Sequence, residues 1–191
     1  MRSLLVLVAL TLIGGCATRE ELIAKSAAVP PGVDLSGQWR LRVASQETVR
    51  RIEDAEMKAA GGEKGINIRA QETRRSGRGS SEGTLVHVFL ETGKALKITQ
   101  TDYGLFISFD RAVVEEYRFG EKRKINVGEV EADRVSGWQE NAYIIETLDM
   151  DGAKLIETYR LDDGGDTLIR SIVVIENAVR QVDVTQAFDQ A

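Results

Sequence analysis

Apolar and polar positions alternate along most of the chain, and the period of that alternation changes only once. In the stretch 37–43, Trp39, Leu41 and Val43 fall on one face and Gln38, Arg40 and Arg42 on the other, which predicts a half-buried strand. The period then lengthens. Ser45 suits an N-cap, and Val49, Ile52, Ala55, Met57 and Ala59 fall on one side of a helix over 45–60 that Gly61-Gly62 ends. Over 61–83 periodicity disappears and Gly, Ser and Arg dominate, which predicts a flexible loop. From residue 84 the chain returns to strand patterning, with candidate strands at 85–90, 95–101, 105–109, 113–119, 124–131, 135–139, 143–148, 154–161, 167–175 and 181–188. Turn formers separate them, among them Asp102-Tyr103-Gly104, Gly120, Asp149-Met150-Asp151-Gly152 and Asp162-Asp163-Gly164-Gly165-Asp166. Many short strands without a helical interruption cannot all lie flat in one open sheet. The fold class expected is therefore mainly β: an antiparallel up-and-down meander closing into a barrel or half-barrel, with one short helix and a loop inserted after the first strand.

The N-terminus follows a different rule. Arg2 supplies positive charge, and the apolar run from Ser3 to Ile13 is too short to span a bilayer as a helix but long enough for an export signal. The residues that follow, Ile13-Gly14-Gly15-Cys16, resemble the lipobox of bacterial lipoproteins. The resemblance implies cleavage after residue 15, acylation of Cys16, and a permanent membrane anchor. It also implies, from Ala17 after the Cys, an outer-membrane location facing the periplasm. The expected organisation is a signal peptide over 1–15, a lipidated tether over 16–33 that contains Pro30-Pro31-Gly32 and one helical turn near Glu20 to Lys25, and a single β domain over 34–191.

Gly37-Gln38-Trp39 resembles the Gly-x-Trp that opens lipocalins and related calycin barrels, and Thr101-Asp102-Tyr103 spells their second signature. The resemblance implies a lipocalin-like barrel whose floor Trp39 closes under a basic residue, Arg170 or Arg180. The same residues also read as a core aromatic and an ordinary hairpin turn. The order Leu96-x-Ile98-x-Gln100, Trp138, and then Asp149 to Leu168 is similar to β-rich bacterial envelope proteins of no assigned activity.

Composition narrows the chemistry. One Cys and one His leave no material for a disulfide framework, a His/Cys metal site or a His-dependent catalytic triad. Asp149/Asp151 and the cluster of Asp162, Asp163 and Asp166 read as solvated turns, since a calcium loop's remaining ligands are missing. Glu115-Glu116 and Glu129/Glu131 could form a carboxylate pair across strands, but without a partner base or an oxyanion donor, and His87 alternates with Val86 and Val88 in an apolar run. No catalytic residue, metal or cofactor is expected.

Two surfaces remain. Trp39, Phe109, Trp138, Tyr143 and Tyr159 would share the barrel interior, filling it or lining a cavity for an apolar ligand. Arg69, Arg74, Arg75 and Arg78 would contact an anionic surface from the loop. The net charge of −5 argues against nucleic acid as a partner. The expected function is a non-catalytic, membrane-anchored lipoprotein that binds an apolar or amphiphilic ligand. The alternatives are a structural lipoprotein with a filled barrel docked to an envelope protein, and an enzyme of unrecognised site.

Overall fold

Ten antiparallel strands arise from the alternating region: β1 (Gly37–Leu41), β2 (Ala95–Gln100), β3 (Gly104–Phe109), β4 (Val113–Arg118), β5 (Glu121–Val127), β6 (Val130–Gln139), β7 (Ala142–Asp149), β8 (Lys154–Leu161), β9 (Thr167–Glu176) and β10 (Val179–Gln190). The structure is a computed structural model and describes residues 20–42, 50–54 and 85–191. The signal segment, Cys16, most of the expected helix, the 61–83 loop and its four arginines lie outside the described residues.

The sheet order is β4-β3-β2-β1-β10-β9-β8-β7-β6-β5. Every strand pairs with its sequence neighbour except β4 with β5. β1 closes the meander by pairing with both β2 and β10, so that Trp39 stands opposite Leu96 on one side and Gln190 on the other. β4 and β5, although consecutive, are the two ends of the sheet. The result is a nearly closed up-and-down barrel with one seam.

Two predicted strands are corrected. Residues 85–90 alternate by eye, but Leu85–Phe89 forms a 3₁₀ turn that lies across one end of the barrel. Val86, Phe89 and Leu90 are buried there with Ile52, from the helical residues 50–54, against Leu155, Ile172, Val174, Val182 and Val184. Spacing of three and four residues puts Val86, Phe89 and Leu90 on one side of a tight turn, a pattern that alternation cannot produce. Val86 and His87 are both buried and Val88 is exposed, so the alternation of His87 with the two valines is not kept. The strand expected over 124–131 is split by a two-residue hairpin at Gly128-Glu129, where Gly128 has φ +60° and Val127 pairs with Val130. The remainder joins 135–139 in one continuous strand, β6.

The other end of the barrel is plugged by residues 29–36. Gln100 fixes this plug by accepting a hydrogen bond from Leu35 N and donating one to Val33 O, each 3.0 Å long. Trp39 Nε1 donates to Leu35 O at 3.1 Å, so the Trp does close this floor. Neither proposed basic residue covers it. Arg170 lies on β9 and stacks on Phe109 and Tyr159, and Arg180 pairs with Asp183 at the surface.

Residues 20–28, expected as a tether with a helical turn, are extended and packed along the outside of β6, β7 and β8. Leu22 is buried against Val135 and Leu148, side chains on the outer face of the barrel. Lys25 pairs with Glu146 at 2.7 Å, Glu21 with Lys122 at 2.6 Å, and Glu20 with Lys154. Ser26 and Trp138 exchange backbone hydrogen bonds in both directions, at 3.1 and 2.8 Å. This approach needs Gly137, since a Cβ there would stand 2.5 Å from Ser26 O. Gly137→Ala is expected to expel the segment. Two hydrogen bonds and the burial of Leu22 would be lost, a destabilisation of about 2–4 kcal/mol in urea unfolding, with faster hydrogen exchange at the Trp138 amide.

Candidate functional site

Inward positions on six strands carry a polar residue at the same height, and together they cut the apolar interior into two. In β8, Glu157 lies in phase between Leu155 and Tyr159. Arg170 lies between Leu168 and Ile172, Gln186 between Val184 and Phe188, Thr147 between Ile145 and Asp149. Arg134 and Glu115 complete the layer from β6 and β4. Register brings them together directly: Arg170 is opposite Gln186, and Arg134 opposite Thr147.

Arg170 is fully buried, and its guanidinium is committed on several sides. Nη2 donates to Glu157 Oε1 at 2.5 Å and to Glu91 O at 2.6 Å, and Nη1 donates to Gln186 Oε1 at 3.5 Å. Its plane lies 5.1 Å from the centre of the Phe109 ring and 5.5 Å from that of Tyr159. Nε has no hydrogen-bond partner among the described residues. Burial works against its charge, but Tyr159 and Glu157 offset this and raise its pKa, so the guanidinium stays protonated. Tyr159 Oη donates to the same Glu157 oxygen at 3.0 Å.

Arg134 forms the second centre. Its Nε donates to Thr147 Oγ1 at 2.9 Å, its Nη1 is 3.6 Å from Glu115 Oε2, and its plane covers the rings of Tyr117 and Phe89. Burial pushes the Tyr117, Tyr143 and Tyr159 phenols well above their ordinary pKa. The phenols therefore stay protonated at neutral pH, and those of Tyr143 and Tyr159 donate to the Arg118 carbonyl and to Glu157.

All five aromatics expected inside the barrel belong to one buried cluster at the plugged end. Trp138 and Tyr143 meet edge-on at 5.2 Å, and Phe119 contacts both at 5.6 Å. Phe109 and Tyr159 form the roof of this cluster, under Arg170. The carboxylate pairs are divided by the pleat: Glu115 faces Arg134 inside, while Glu116 pairs with Arg118 at the surface. The acidic turns cap their own hairpins. Asp149 Oδ1 accepts from Asp151 N and Ala153 N, and Asp162 Oδ1 accepts from Thr167 N.

Two clefts lead toward the polar layer from the 3₁₀-capped end. One, of about 320 Å³, opens at the β4–β5 seam between Phe89, Glu115, Arg123, Ile125 and Arg134. The other, of about 190 Å³, is lined by Leu41, Ile52, Thr92 and Gln186.

This architecture defines the class: a ten-stranded antiparallel barrel with a charged layer across its interior. Lipid binding protein 8 of Caenorhabditis elegans, in its apo form, is similar, with a TM-score of 0.51 and 12% identity over 84% of this chain and 99% of that one. A REP1-NXSQ fatty acid transporter gives 0.48 at 13% identity, covering 83% of this chain and 96% of its own. Secretory abundant heat soluble protein 4 from Ramazzottius varieornatus gives 0.46 at 15% identity, covering 90% and 99%. At these identities the likeness is one of fold. No family model and no curated protein matches the chain.

Sequence reasoning singled out the aromatics but missed Arg134, Glu157, Thr147 and Gln186. Their signal is a polar residue occupying the apolar phase of a strand, as in Leu155-x-Glu157-x-Tyr159. A double-mutant cycle tests the layer. Glu157→Leu strands the Arg170 charge and is expected to cost about 3–5 kcal/mol in urea unfolding, whereas the double variant Glu157→Leu/Arg170→Met recovers most of that loss.

Proposed function

We propose that the protein is a lipid-anchored bacterial envelope protein, held at the outer membrane through Cys16 and facing the periplasm, whose barrel binds an apolar or amphiphilic ligand without catalysing its conversion. The observation that carries the reading is the interior itself: two apolar compartments meet at a layer of buried polar side chains, which one cleft touches at Arg134 and a second at Gln186. An amphiphile suits that arrangement, its chain among the apolar side chains and its polar head at the level of Arg170 and Arg134. The lipid binding of the C. elegans neighbour, stated in that protein's own description, agrees with a ligand of this class.

A second reading is supported by the packing. Arg170 already holds Glu157, and Trp138, Tyr117, Tyr143 and Tyr159 are wholly buried, as in a filled barrel that serves an envelope assembly as a scaffold. Lipid extraction and mass spectrometry of the protein purified from its own envelope separate the two. The binder carries a stoichiometric lipid besides its anchor; a barrel carrying none is the scaffold. The anchor is tested independently: palmitate labels the wild type and not Cys16→Ser, and labelling that survives the substitution removes it.

A further inference from the structure

The direction of the N-terminal segment and the chemistry of the hairpin tips point to the same end of the barrel. Followed backward from Ser26, beside Trp138 at the plugged end, the segment passes Lys25 at Glu146 and Leu22 at Val135 and Leu148. It reaches Glu20 at Lys154, the first residue of β8. Four residue steps lead from Glu20 back to Cys16, a chain that spans at most about 14 Å even when fully extended. The strand from Lys154 to Leu161 alone covers about 23 Å toward the plugged end. While the segment stays seated, the 3₁₀-capped rim lies within the span of those four steps from Glu20 and the opposite rim lies beyond it.

That rim is tipped with apolar side chains. Among the described residues, four of the seven exposed large hydrophobics stand on it: Val88 in the 3₁₀ turn, Val127 at the β5–β6 hairpin, Met150 at β7–β8 and Val179 at β9–β10. The plugged end carries one exposed large hydrophobic, Tyr103; exposed acids occur at both ends, Asp163 and Asp166 at the plugged one and Asp110, Glu129 and Asp151 at the other, so it is the apolar tips that distinguish them. The two clefts that touch the polar layer, one at Arg134 and one at Gln186, open at the apolar-tipped rim.

We propose that the seated N-terminal segment presents this rim to the phospholipid bilayer that holds Cys16, making the tips of Val88, Val127, Met150 and Val179 a membrane-docking surface. The inference rests on the acylation of Cys16 proposed above. Docked in this way, the two clefts face lipid directly, and an amphiphile passes between bilayer and barrel without crossing water.

Hydrogen exchange of the full acylated chain in phosphatidylethanolamine–phosphatidylglycerol vesicles, against Cys16→Ser protein mixed with the same vesicles, tests the orientation. The hairpins holding Val127, Met150 and Val179 are expected to exchange at least about fivefold more slowly when anchored, with the 101–104 and 162–166 turns unchanged. Met150→Asp/Val179→Asp abolishes the slowing while the protein stays vesicle-bound, and Leu22→Asp, which unseats the segment, abolishes it too. Equal slowing at both ends, or slowing confined to 162–166, overturns the proposal; slowing that persists in Leu22→Asp overturns the segment's part in it. Intact mass decides acylation separately. If Cys16 carries no lipid, its thiol is coupled to a maleimide phospholipid, and the same exchange pattern then tests the orientation alone.

Discussion

The pairing of Arg170 with Glu157 is the constraint from which much of the barrel follows. A guanidinium with no solvent exposure is tolerated only where its charge and donors are met, and here the partners come from several places in the chain. Glu157 is on β8, Gln186 on β10, and the Glu91 carbonyl on the connection after the 3₁₀ turn. A slip of one residue in β9 would send Arg170 to solvent and bring Ile169 and Ser171 inside, leaving the buried Glu157 without its counter-charge. The pair thus opposes the register errors to which long alternating strands are prone. Whatever its net contribution to stability, it penalises the alternatives.

The same arginines hold the cap. Arg170 reaches the backbone at Glu91, and Arg134 lies over Phe89, so both flank the end of the 3₁₀ turn. Val86, Phe89 and Leu90 cover the upper compartment because the polar layer beneath gives their connection fixed points to bond. At the plugged end, Gln100 and Trp39 bind backbone groups of residues 33–35. Both ends are therefore held through side chains of distant strands, Gln100 of β2 at the plug and Arg170 and Arg134 of β9 and β6 at the cap. The plug adds the bond within one stretch of chain from Trp39 to the Leu35 carbonyl.

The strands were legible in the sequence wherever period-two alternation ran between turn residues, as from Ala142 to Phe188, and the meander followed from their spacing. Legibility failed where a short apolar run had another use. Leu85 to Leu90 has strand composition, and only its place over an open barrel end selects the 3₁₀ turn. The aromatics of the candidate site were readable because Trp and Tyr on an apolar face announce burial. Glu157 and Arg170 were less so, since a charged residue in the apolar phase looks like a defect until its partner on the neighbouring strand is known. The seating of Leu22 was hidden for another reason: Val135 and Leu148 lie on the nominally polar face of their strands, and the mismatch has meaning only once a third segment covers them.

The seam between β4 and β5 shows how a barrel stays open without exposing a sheet edge. Two edge strands side by side would ordinarily pair with each other or with another chain. Here the edge carbonyls of β4 are taken by side chains: Arg123 Nη2 donates to Glu116 O at 3.0 Å, and Ser136 Oγ donates to Arg118 O at 2.8 Å. Tyr143 Oη reaches the same Arg118 carbonyl at 3.4 Å, so the seam is stitched most firmly beside the Phe119-Gly120 turn at the plugged end. Toward the capped end the stitching changes to the longer Arg134–Glu115 contact, and there the strands part around the larger cleft. Side-chain donors thus satisfy the β4 carbonyls without drawing the two backbones to ladder distance. The gap between the strands is set by the lengths of Arg and Glu side chains, which is what leaves room for a cleft bordered by charge.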